Sequence, residues 1–248
     1  MRMRSRALLV LLCSLLAGAF NAEPSPDPTY KDCHPGDKAA LLAVKAALGN
    51  AYHFASWTPD NPCCDCGAIP ASLGTIPNLS GINLSRNRLT GAIPSMFLSK
   101  SADQVYLWLS HNNLTGPVPA GFAAVNFAHL DLSRNDLTGD ASGLFGRGKE
   151  LQYIDLSRNA FDFDLSGVVL PEQLYFVDVS HNAIHGSIPA QVANLSNLQF
   201  FNVSYNRLCG PIPTGGNTAR FDLYNFQHNK CLCGAQNNAT YFYVDQVD

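Results

Sequence analysis

The sequence predicts an α/β solenoid in which short parallel strands stack from coil to coil and form a concave β-sheet. Its main support is a phrase of the form Leu-x-Leu-Ser-x-Asn-x-Leu, which recurs with steps of 25, 23, 24, 23 and 24 residues between its asparagines. Apolar residues stand five and three places before each asparagine. Because alternate side chains of a strand share one face, stacked coils would bury these pairs in one continuous column. The asparagines are Asn87, Asn112, Asn135, Asn159, Asn182 and Asn206.

A period of 23 to 25 residues with this phrasing is the signature of a leucine-rich repeat. We expect the asparagine of each repeat to turn inward at the bend, where its amide satisfies neighbouring backbone groups. The back half of a repeat reads Leu-Thr-Gly-Ala-Ile-Pro at 89–94, with related spellings at 114–119, 184–189 and 208–213. Gly permits a tight bend and Pro interrupts a regular helix, so short strands and turns are expected on the convex side.

Composition divides the chain into four segments. Residues 1–22 are predicted to be a secretory signal peptide, because arginines at 2, 4 and 6 precede an apolar run over 7–16 and small residues follow. Residues 23–66 form an N-terminal cysteine-containing cap with a helix expected over 37–48. Residues 67–208 hold a partial repeat and then six repeats, and residues 209–248 form the C-terminal cap and tail. No stretch approaches the length of a membrane span, so we expect a secreted, extracellular protein.

Seven cysteines remain once the leader is removed, and all lie at the two ends of the repeat array. Secretion favours disulfides, so we expect disulfide-stapled caps at both ends. The expected pairs are Cys33–Cys63 and Cys209–Cys231. A bridge between Cys64 and Cys66 would close a very tight, strained loop, and Cys233 has no evident partner. A zinc site at 63–66 is the alternative, which is disfavoured because neither the spacing nor a second cluster fits.

The overall charge favours a basic partner and disfavours nucleic acid. Loss of the three leader arginines takes the formal net charge from −3 to −6. An enzyme is the other class considered, because His129, Asp131 and Ser133 share one strand and stacked carboxylates can do acid–base work on glycosides. These residues recur with the repeat and form no unique constellation, so we predict no catalytic site, no metal and no cofactor.

The outward positions of the strands form columns along the predicted concave face. Four places before each asparagine stand Asn83, Trp108, Asp131, Asp155, Asp178 and Asn202, and six places before stand Gly81, Tyr106, His129, Tyr153, Phe176 and Phe200. An acidic ladder flanked by exposed aromatic residues indicates a protein-binding surface. The candidate partner-binding residues are Tyr106, Trp108, His129, Asp131, Tyr153, Asp155, Phe176 and Asp178. The alternative is that the aspartates and the serine two places before each asparagine only solvate a strand.

Six asparagines lie in Asn-x-Ser/Thr sequons, as expected of a secreted glycoprotein. Glycans at Asn83 or Asn202 would obstruct the concave face. We therefore predict glycosylation at Asn78, Asn113 and Asn194.

Several longer segments point to one known family. They are Phe-Asn-Val-Ser-Tyr-Asn-Arg-Leu-Cys-Gly at 201–210, Pro-Thr-Gly-Gly at 213–216, His-Asn-Lys-Cys-Leu-Cys-Gly-Ala at 228–235, Gly-Asp-Ala-Ser at 139–142 and the cap segments 33–38 and 55–65. These segments resemble the polygalacturonase-inhibiting proteins of plants. The resemblance covers nearly all of residues 31–235. That family carries about ten repeats, so this chain looks like a member that lacks several early repeats just after residue 65. The family also closes with a final cysteine, which residues 236–248 replace here.

This resemblance implies a cell-wall defence protein that binds and inhibits pectin-degrading polygalacturonases of fungi or insects through the concave face. Asp131, Asp155 and Asp178 would supply charge and the aromatic column would supply anchors, with cell-wall pectin as a further possible contact. A second hypothesis is an extracellular signalling or adaptor protein in development that binds a receptor ectodomain or a peptide. A third is a truncated family member that folds poorly and inhibits nothing.

Overall fold

The computed structural model describes residues 79–99, 101 and 103–234, together with Ala68, Ile69 and the backbone of 8–10 and 242–243. The helix expected over 37–48, the cysteines Cys33, Cys63, Cys64 and Cys66, and the sequon at Asn78 lie outside the described residues. The strands are β1 Leu8–Val10, β2 Gly81–Asn83, β3 Thr90–Ala92, β4 Val105–Trp108, β5 Asn113–Pro117, β6 Phe127–Asp131, β7 Asp136–Gly139, β8 Tyr153–Asp155, β9 Ala160–Phe161, β10 Phe176–Asp178, β11 His185–Gly186, β12 Phe200–Asn202, β13 Arg207–Pro211, β14 Cys231–Gly234 and β15 Phe242–Tyr243.

Successive coils contribute one strand each to a parallel sheet, as the repeat period predicts. The strand order is β1-β2-β4-β6-β8-β10-β12. Strand β1, at the N-terminal edge, comes from the predicted signal peptide and pairs with β2 from Leu8↔Gly81 to Val10↔Asn83. This is the position that the strand of a preceding repeat would take, and the partial repeat before β2 lacks such a strand in its sequence.

The core is one column that runs through the inside of the coils. The residues five and three places before each asparagine are at most 5% exposed, which confirms the predicted inward pairs. They are Ile82, Leu84, Leu107, Leu109, Leu130, Leu132, Ile154, Leu156, Val177, Val179, Phe201 and Val203. A single cluster of buried apolar side chains extends from Ile69 to Leu232. No coil could bury its inner face alone, so each coil depends on its neighbours.

The repeat asparagines clamp consecutive coils together. In Asn135, Nδ2 donates to the carbonyl of Leu109 in the preceding coil and to the carbonyl of Leu132 in its own coil, both at 3.0 Å. Its Oδ1 accepts from the backbone N–H of Leu114 in the preceding coil at 3.0 Å. The same contacts are made by Asn112, Asn159, Asn182 and Asn206. A single side chain thus satisfies buried donors and acceptors of two coils.

A seventh asparagine, Asn229, makes the same clamp within the region predicted as the C-terminal cap. Its Nδ2 donates to the carbonyls of Val203 and Phe226 at 3.0 and 2.9 Å, and its Oδ1 accepts from the N–H of Leu208 at 3.0 Å. The structure therefore adds one coil beyond the six repeats. The repeat pattern did not predict this coil, because Tyr224 and Phe226 stand five and three places before its asparagine.

The residue before each asparagine adopts a left-handed backbone conformation with φ between 54° and 56°. These rim residues are Arg86, His111, Arg134, Arg158, His181, Tyr205 and His228. Residues other than Gly, Asn and Asp are uncommon in this left-handed conformation, which costs them about 1–2 kcal/mol each. The asparagine clamp holds the bend, so the repeat presents a long side chain at the same rim position in every coil.

The back halves of the coils form short strands and 3₁₀ turns, as the Gly and Pro pattern predicts. Lateral sheets have the orders β3-β5-β7-β9 and β11-β13-β14-β15. The 3₁₀ turns are Ala120–Ala124, Ser142–Leu144, Leu165–Gly167, Ala190–Asn194, Gly216–Arg220 and Leu223–Asn225. Across the described ranges, no helix has the length and apolar character needed to cross a membrane.

A disulfide joins Cys209 of β13 to Cys231 of β14, the C-terminal pair expected from the sequence. The two Cα atoms are 4.3 Å apart, and the residues are direct partners across the parallel strand pair. Cys233, also on β14, is a free thiol. The bridge therefore fastens the last coil to the repeat before it.

Replacing Asn135→Ala should lower the free energy of unfolding by about 3 kcal/mol, because it leaves buried carbonyl and N–H groups of two coils without partners. Urea denaturation followed by circular dichroism measures the change. The control is Asn197→Ala, since Asn197 is exposed and makes a single side-chain contact at 3.2 Å to the carbonyl of Glu172. Equal stability losses in the two variants would contradict the clamp.

Candidate protein-binding face

The eight residues predicted to bind a partner come together on four neighbouring strands of the concave sheet. They lie on β4, β6, β8 and β10, two per strand. The parallel register aligns them as the rows Tyr106↔His129↔Tyr153↔Phe176 and Trp108↔Asp131↔Asp155↔Asp178. Two adjacent columns, one largely aromatic and one largely acidic, therefore run along the solenoid axis.

The aromatic column is a continuous stack of rings. Ring centroids are 4.0 Å apart for His129 and Tyr153, 4.3 Å for Tyr153 and Phe176, and 4.5 Å for Phe176 and Phe200. Trp108 packs on His129 at 4.7 Å and so joins the stack from the neighbouring column. The interplanar angles of the stacked pairs are 8° to 10°, so the rings cover one another's faces.

This stacking changes the predicted role of the aromatic residues. They were expected to be exposed, but His129, Tyr153 and Phe176 are only partly exposed because each ring packs against the next. Tyr106, at the N-terminal end of the column, is 38% exposed. The stack therefore forms a continuous rib of packed rings along the face, and a larger free aromatic area lies at Tyr106, at the end of the column.

The acidic ladder is held in place by local hydrogen bonds. Oδ1 of Asp131 accepts from the N–H and the hydroxyl of Ser133 at 3.1 and 2.7 Å. Oδ1 of Asp155 and of Asp178 accepts from the N–H of the serine two residues on, at 2.9 Å in both cases. Asn83 and Asn202 make the same contact with their amide oxygens. The serine column and one oxygen of each aspartate thus have a structural role, as the alternative interpretation holds.

The second oxygen of each aspartate is not bound to the serine, and the carboxylates supply the charge of the face; Oδ2 of Asp178 accepts from Nδ2 of Asn202 at 3.4 Å. Burial, followed by the neighbouring charges of Asp178 and Asp131, raises the pKa of the Asp155 carboxyl to about 6, against the lowering effect of its bonds to Ser157. Burial lowers the pKa of His129, although Asp131 opposes this effect. Consistent with a neutral imidazole, Nε2 of His129 is buried without a hydrogen-bond partner.

Basic side chains border the ladder on the rim. A polar trough of 520 Å³ is lined by Asp131, Asp155 and Asp178, by the serine column and by rim residues that include Arg86, Arg134 and Arg158. Burial, then the guanidinium groups of Arg134 and Arg86, lowers the pKa of His111. The rim residues were not among the residues predicted to bind a partner. Their constant position before each asparagine was the available signal, because it assigns them to one edge of the face.

The face shows no arrangement suited to metal binding. Among the residues that the structure describes, no group of three or more His, Cys, Asp or Glu side chains is placed to hold a metal ion. The trough is open and polar, which suits a macromolecular partner rather than an enclosed small molecule.

Two predicted glycosylation sites differ from the other described sequons in their surroundings. Asn113 on β5 and Asn194 at the end of a 3₁₀ turn are exposed. The side chains of Asn83 and Asn202 instead accept hydrogen bonds from Ser85 and Ser204 on the concave face.

Peptide mapping of the secreted protein by mass spectrometry should find glycans at Asn113 and Asn194 and none at Asn83 or Asn202. Occupancy at Asn202 would contradict a free concave face.

The raised pKa of Asp155 predicts a pH-dependent stability. An unperturbed aspartate has a pKa of 3.8, so the folded state favours the neutral carboxyl. The stability that the neutral Asp155 carboxyl contributes to the folded state is fully present below about pH 4 and is lost as the pH rises through about 6. Asp155→Asn keeps the Oδ1 acceptor and should match the parent near pH 4, but exceed its free energy of unfolding above pH 6 by up to about 3 kcal/mol. Urea unfolding at both pH values tests this, and a pH-independent difference would contradict it.

Comparison with known proteins identifies the family. The model described as "Leucine rich repeat N-terminal domain" matches residues 34–65, and "Leucine Rich Repeat" matches residues 78–99 and 105–124. The chain is 54% identical to polygalacturonase inhibitor 1 of Arabidopsis thaliana, covering 82% of this chain and 91% of the relative. It is 53% identical to the polygalacturonase inhibitor of Pyrus communis, over 84% of this chain and 92% of the relative.

A solved structure supports the fold independently. The chain aligns with a protein described as a plant ice-binding protein at 47% sequence identity and a TM-score of 0.65. The alignment covers 70% of this chain and 57% of that chain.

The alignments also contain the expected gap in the repeat array. The alignment with the Arabidopsis relative runs over 301 positions, but 82% of the 248 residues is only about 203, so about 98 positions of the relative face no residue of this chain. With coils of 23 to 25 residues this gap equals about four repeats. It agrees with the prediction that several repeats are missing.

The relatives are inhibitors and not enzymes, which confirms the prediction that the chain is not an enzyme. The chain belongs to the polygalacturonase-inhibitor family of leucine-rich repeat proteins.

Proposed function

We propose that this protein is secreted to the cell wall, where it inhibits pectin-degrading polygalacturonases of fungi or insects. The observation that carries the proposal is the relationship to proteins named polygalacturonase inhibitors, at 54% and 53% identity over more than four-fifths of the chain. The concave face supports it, because it combines a continuous rib of packed rings with an ordered acidic ladder on four consecutive strands.

The inhibitor acts by covering the enzyme's substrate cleft rather than by chemistry. The oxygens of Asp131, Asp155 and Asp178 that are not bound to serines attract basic groups on the rim of such a cleft. Such groups suit an enzyme whose substrate is polyanionic. The ring stack then excludes water beside these charges, and desolvated charge contacts resist dissociation more than exposed ones.

The coils that this chain keeps carry the acidic ladder of Asp131, Asp155 and Asp178, and so the proposal does not require the missing coils. A shorter solenoid covers less of an enzyme. We therefore infer a narrower set of inhibited enzymes than that of relatives with a full array.

The test is inhibition of a panel of fungal and insect polygalacturonases by the secreted, purified protein, with circular dichroism on the same samples. The parent should slow at least one enzyme. A variant carrying Asp131→Asn, Asp155→Asn and Asp178→Asn should raise the inhibition constant by at least about tenfold. Asparagine keeps the Oδ1 contact to the serines, as Asn202 shows, and removes only the charge.

The matched control is Asp136→Asn, which removes an exposed carboxylate from the lateral strand β7 and should leave inhibition unchanged. A folded parent that is inert across the panel would count against the inhibitor function. A parent that does not fold would instead support a truncated, non-inhibitory protein.

A further inference from the structure

We propose that Asp155, at the centre of the acidic ladder, couples partner binding to the release of a proton, so that the protein binds its polygalacturonase more tightly as the pH rises from about 5 to about 7. This inference rests on the proposed function and deepens it, because it assigns a regulation to the same face. It concerns the ladder carboxyl that has a carboxyl neighbour on both sides.

The register of the sheet places the three ladder carboxyls in a row. Asp155 pairs with Asp131 on β6 and with Asp178 on β10. Neighbouring strands lie about 4.8 Å apart, and like charges at such a distance disfavour each other's ionised form. The outer neighbours of Asp131 and Asp178 are the uncharged Trp108 and Asn202. Asp155 therefore carries the repulsion of two carboxylates, and each outer aspartate carries that of one.

Local contacts do not neutralise the charge of Asp155. Its Oδ1 accepts from the N–H of Ser157 at 2.9 Å, a contact with an uncharged group. Among the residues that the structure describes, no ladder aspartate forms an ion pair with Arg134 or Arg158 of the rim. A countercharge for ionised Asp155 therefore has to come from a partner.

The surroundings of Asp155 favour its neutral form in the free protein. Burial, followed by the charges of Asp178 and Asp131, raises the pKa of this carboxyl to about 6, although its bonds to Ser157 oppose the shift. The other titratable or charged groups around it are His129 and Tyr153 of the ring stack and Arg134, Arg158 and His181 of the rim.

Two of these groups also favour their neutral forms. Burial lowers the pKa of His129 and raises the pKa of Tyr153. Burial, then the charge of Arg158, lowers the pKa of His181. The imidazole of His181 lines the same trough as Asp155, so the experiment has to separate the two groups.

A cation of the enzyme placed over Asp155 interacts more strongly with the carboxylate than with the neutral acid. Binding therefore lowers the pKa of Asp155 and expels its proton. With a pKa of about 6 in the free protein, about nine-tenths of the Asp155 carboxyls carry a proton at pH 5 and about one-tenth at pH 7. The contribution of Asp155 to affinity is thus present above about pH 7 and is lost as the pH falls through 6, so Kd should be about tenfold higher at pH 5 than at pH 7.

The experiment is isothermal titration calorimetry with a polygalacturonase that the parent protein binds, at pH 5 and pH 7, in buffers of different ionisation enthalpy. The parent should release about 0.9 proton on binding at pH 5 and about 0.1 at pH 7. Asp155→Asn keeps the Oδ1 acceptor. It should match the Kd of the parent within about twofold at pH 5 and bind about tenfold more weakly than the parent at pH 7. A purely structural role of Asp155 would instead weaken binding equally at both pH values.

Two control variants locate the proton. Asp136→Asn removes an exposed carboxylate on the lateral strand β7 and should keep the pH dependence of the parent. His181→Gln removes the rim imidazole of the trough and should also keep it. Loss of the pH dependence in His181→Gln together with its retention in Asp155→Asn would assign the proton to the rim and overturn the inference.

A parent with the same Kd at both pH values, or an Asp155→Asn variant with the pH dependence of the parent, would also overturn this inference and leave the inhibitor function intact. A parent that binds no enzyme of the panel would overturn the proposed function and this inference together.

Discussion

The buried amide of the repeat asparagine is the interaction on which the rest of the structure depends. From Asn112 onward it donates to carbonyls of two coils and accepts an N–H from the preceding one, as at Asn135 and Asn206. Few side chains carry both donors and an acceptor on one short arm. The clamp sets the distance and rotation between coils, and the apolar column then fills the space inside. Neither would suffice alone, because a single coil buries too little apolar surface.

The same clamp determines the surface. It brings one residue per coil into a left-handed conformation at the rim and aligns the outward positions into columns. The ladder aspartates serve both fold and surface, because one oxygen of Asp155 holds the turn through Ser157 while the other carries charge. Replacing a ladder aspartate with asparagine removes the charge but keeps the oxygen that accepts the bond from the serine. This substitution therefore separates the electrostatic role of the aspartate from its structural role.

Periodicity also explains how a member of this family tolerates a large internal gap. The alignment gap of about 98 positions is close to a whole number of repeats. Loss of whole coils preserves the register of the remaining asparagines, inward pairs and columns, because each coil contacts only its neighbours. In the sequence, the partial repeat that precedes β2 lacks a strand of its own.

The sequence by itself determined the repeat period, the inward pairs, the Cys209–Cys231 bridge and the two columns that hold Asp131 and Tyr153. These follow from spacing, because a regular coil maps sequence position directly onto a face. Only the tertiary structure decided that the rings of His129, Tyr153 and Phe176 stack face to face, since stacking depends on side-chain angles between coils. It also revealed the coil closed by Asn229, whose side chain makes the same bonds although Tyr224 and Phe226 stand where the earlier coils mostly have aliphatic residues. Burial of Asp155 and the shift of its pKa likewise arise from neighbouring coils, which no local pattern encodes.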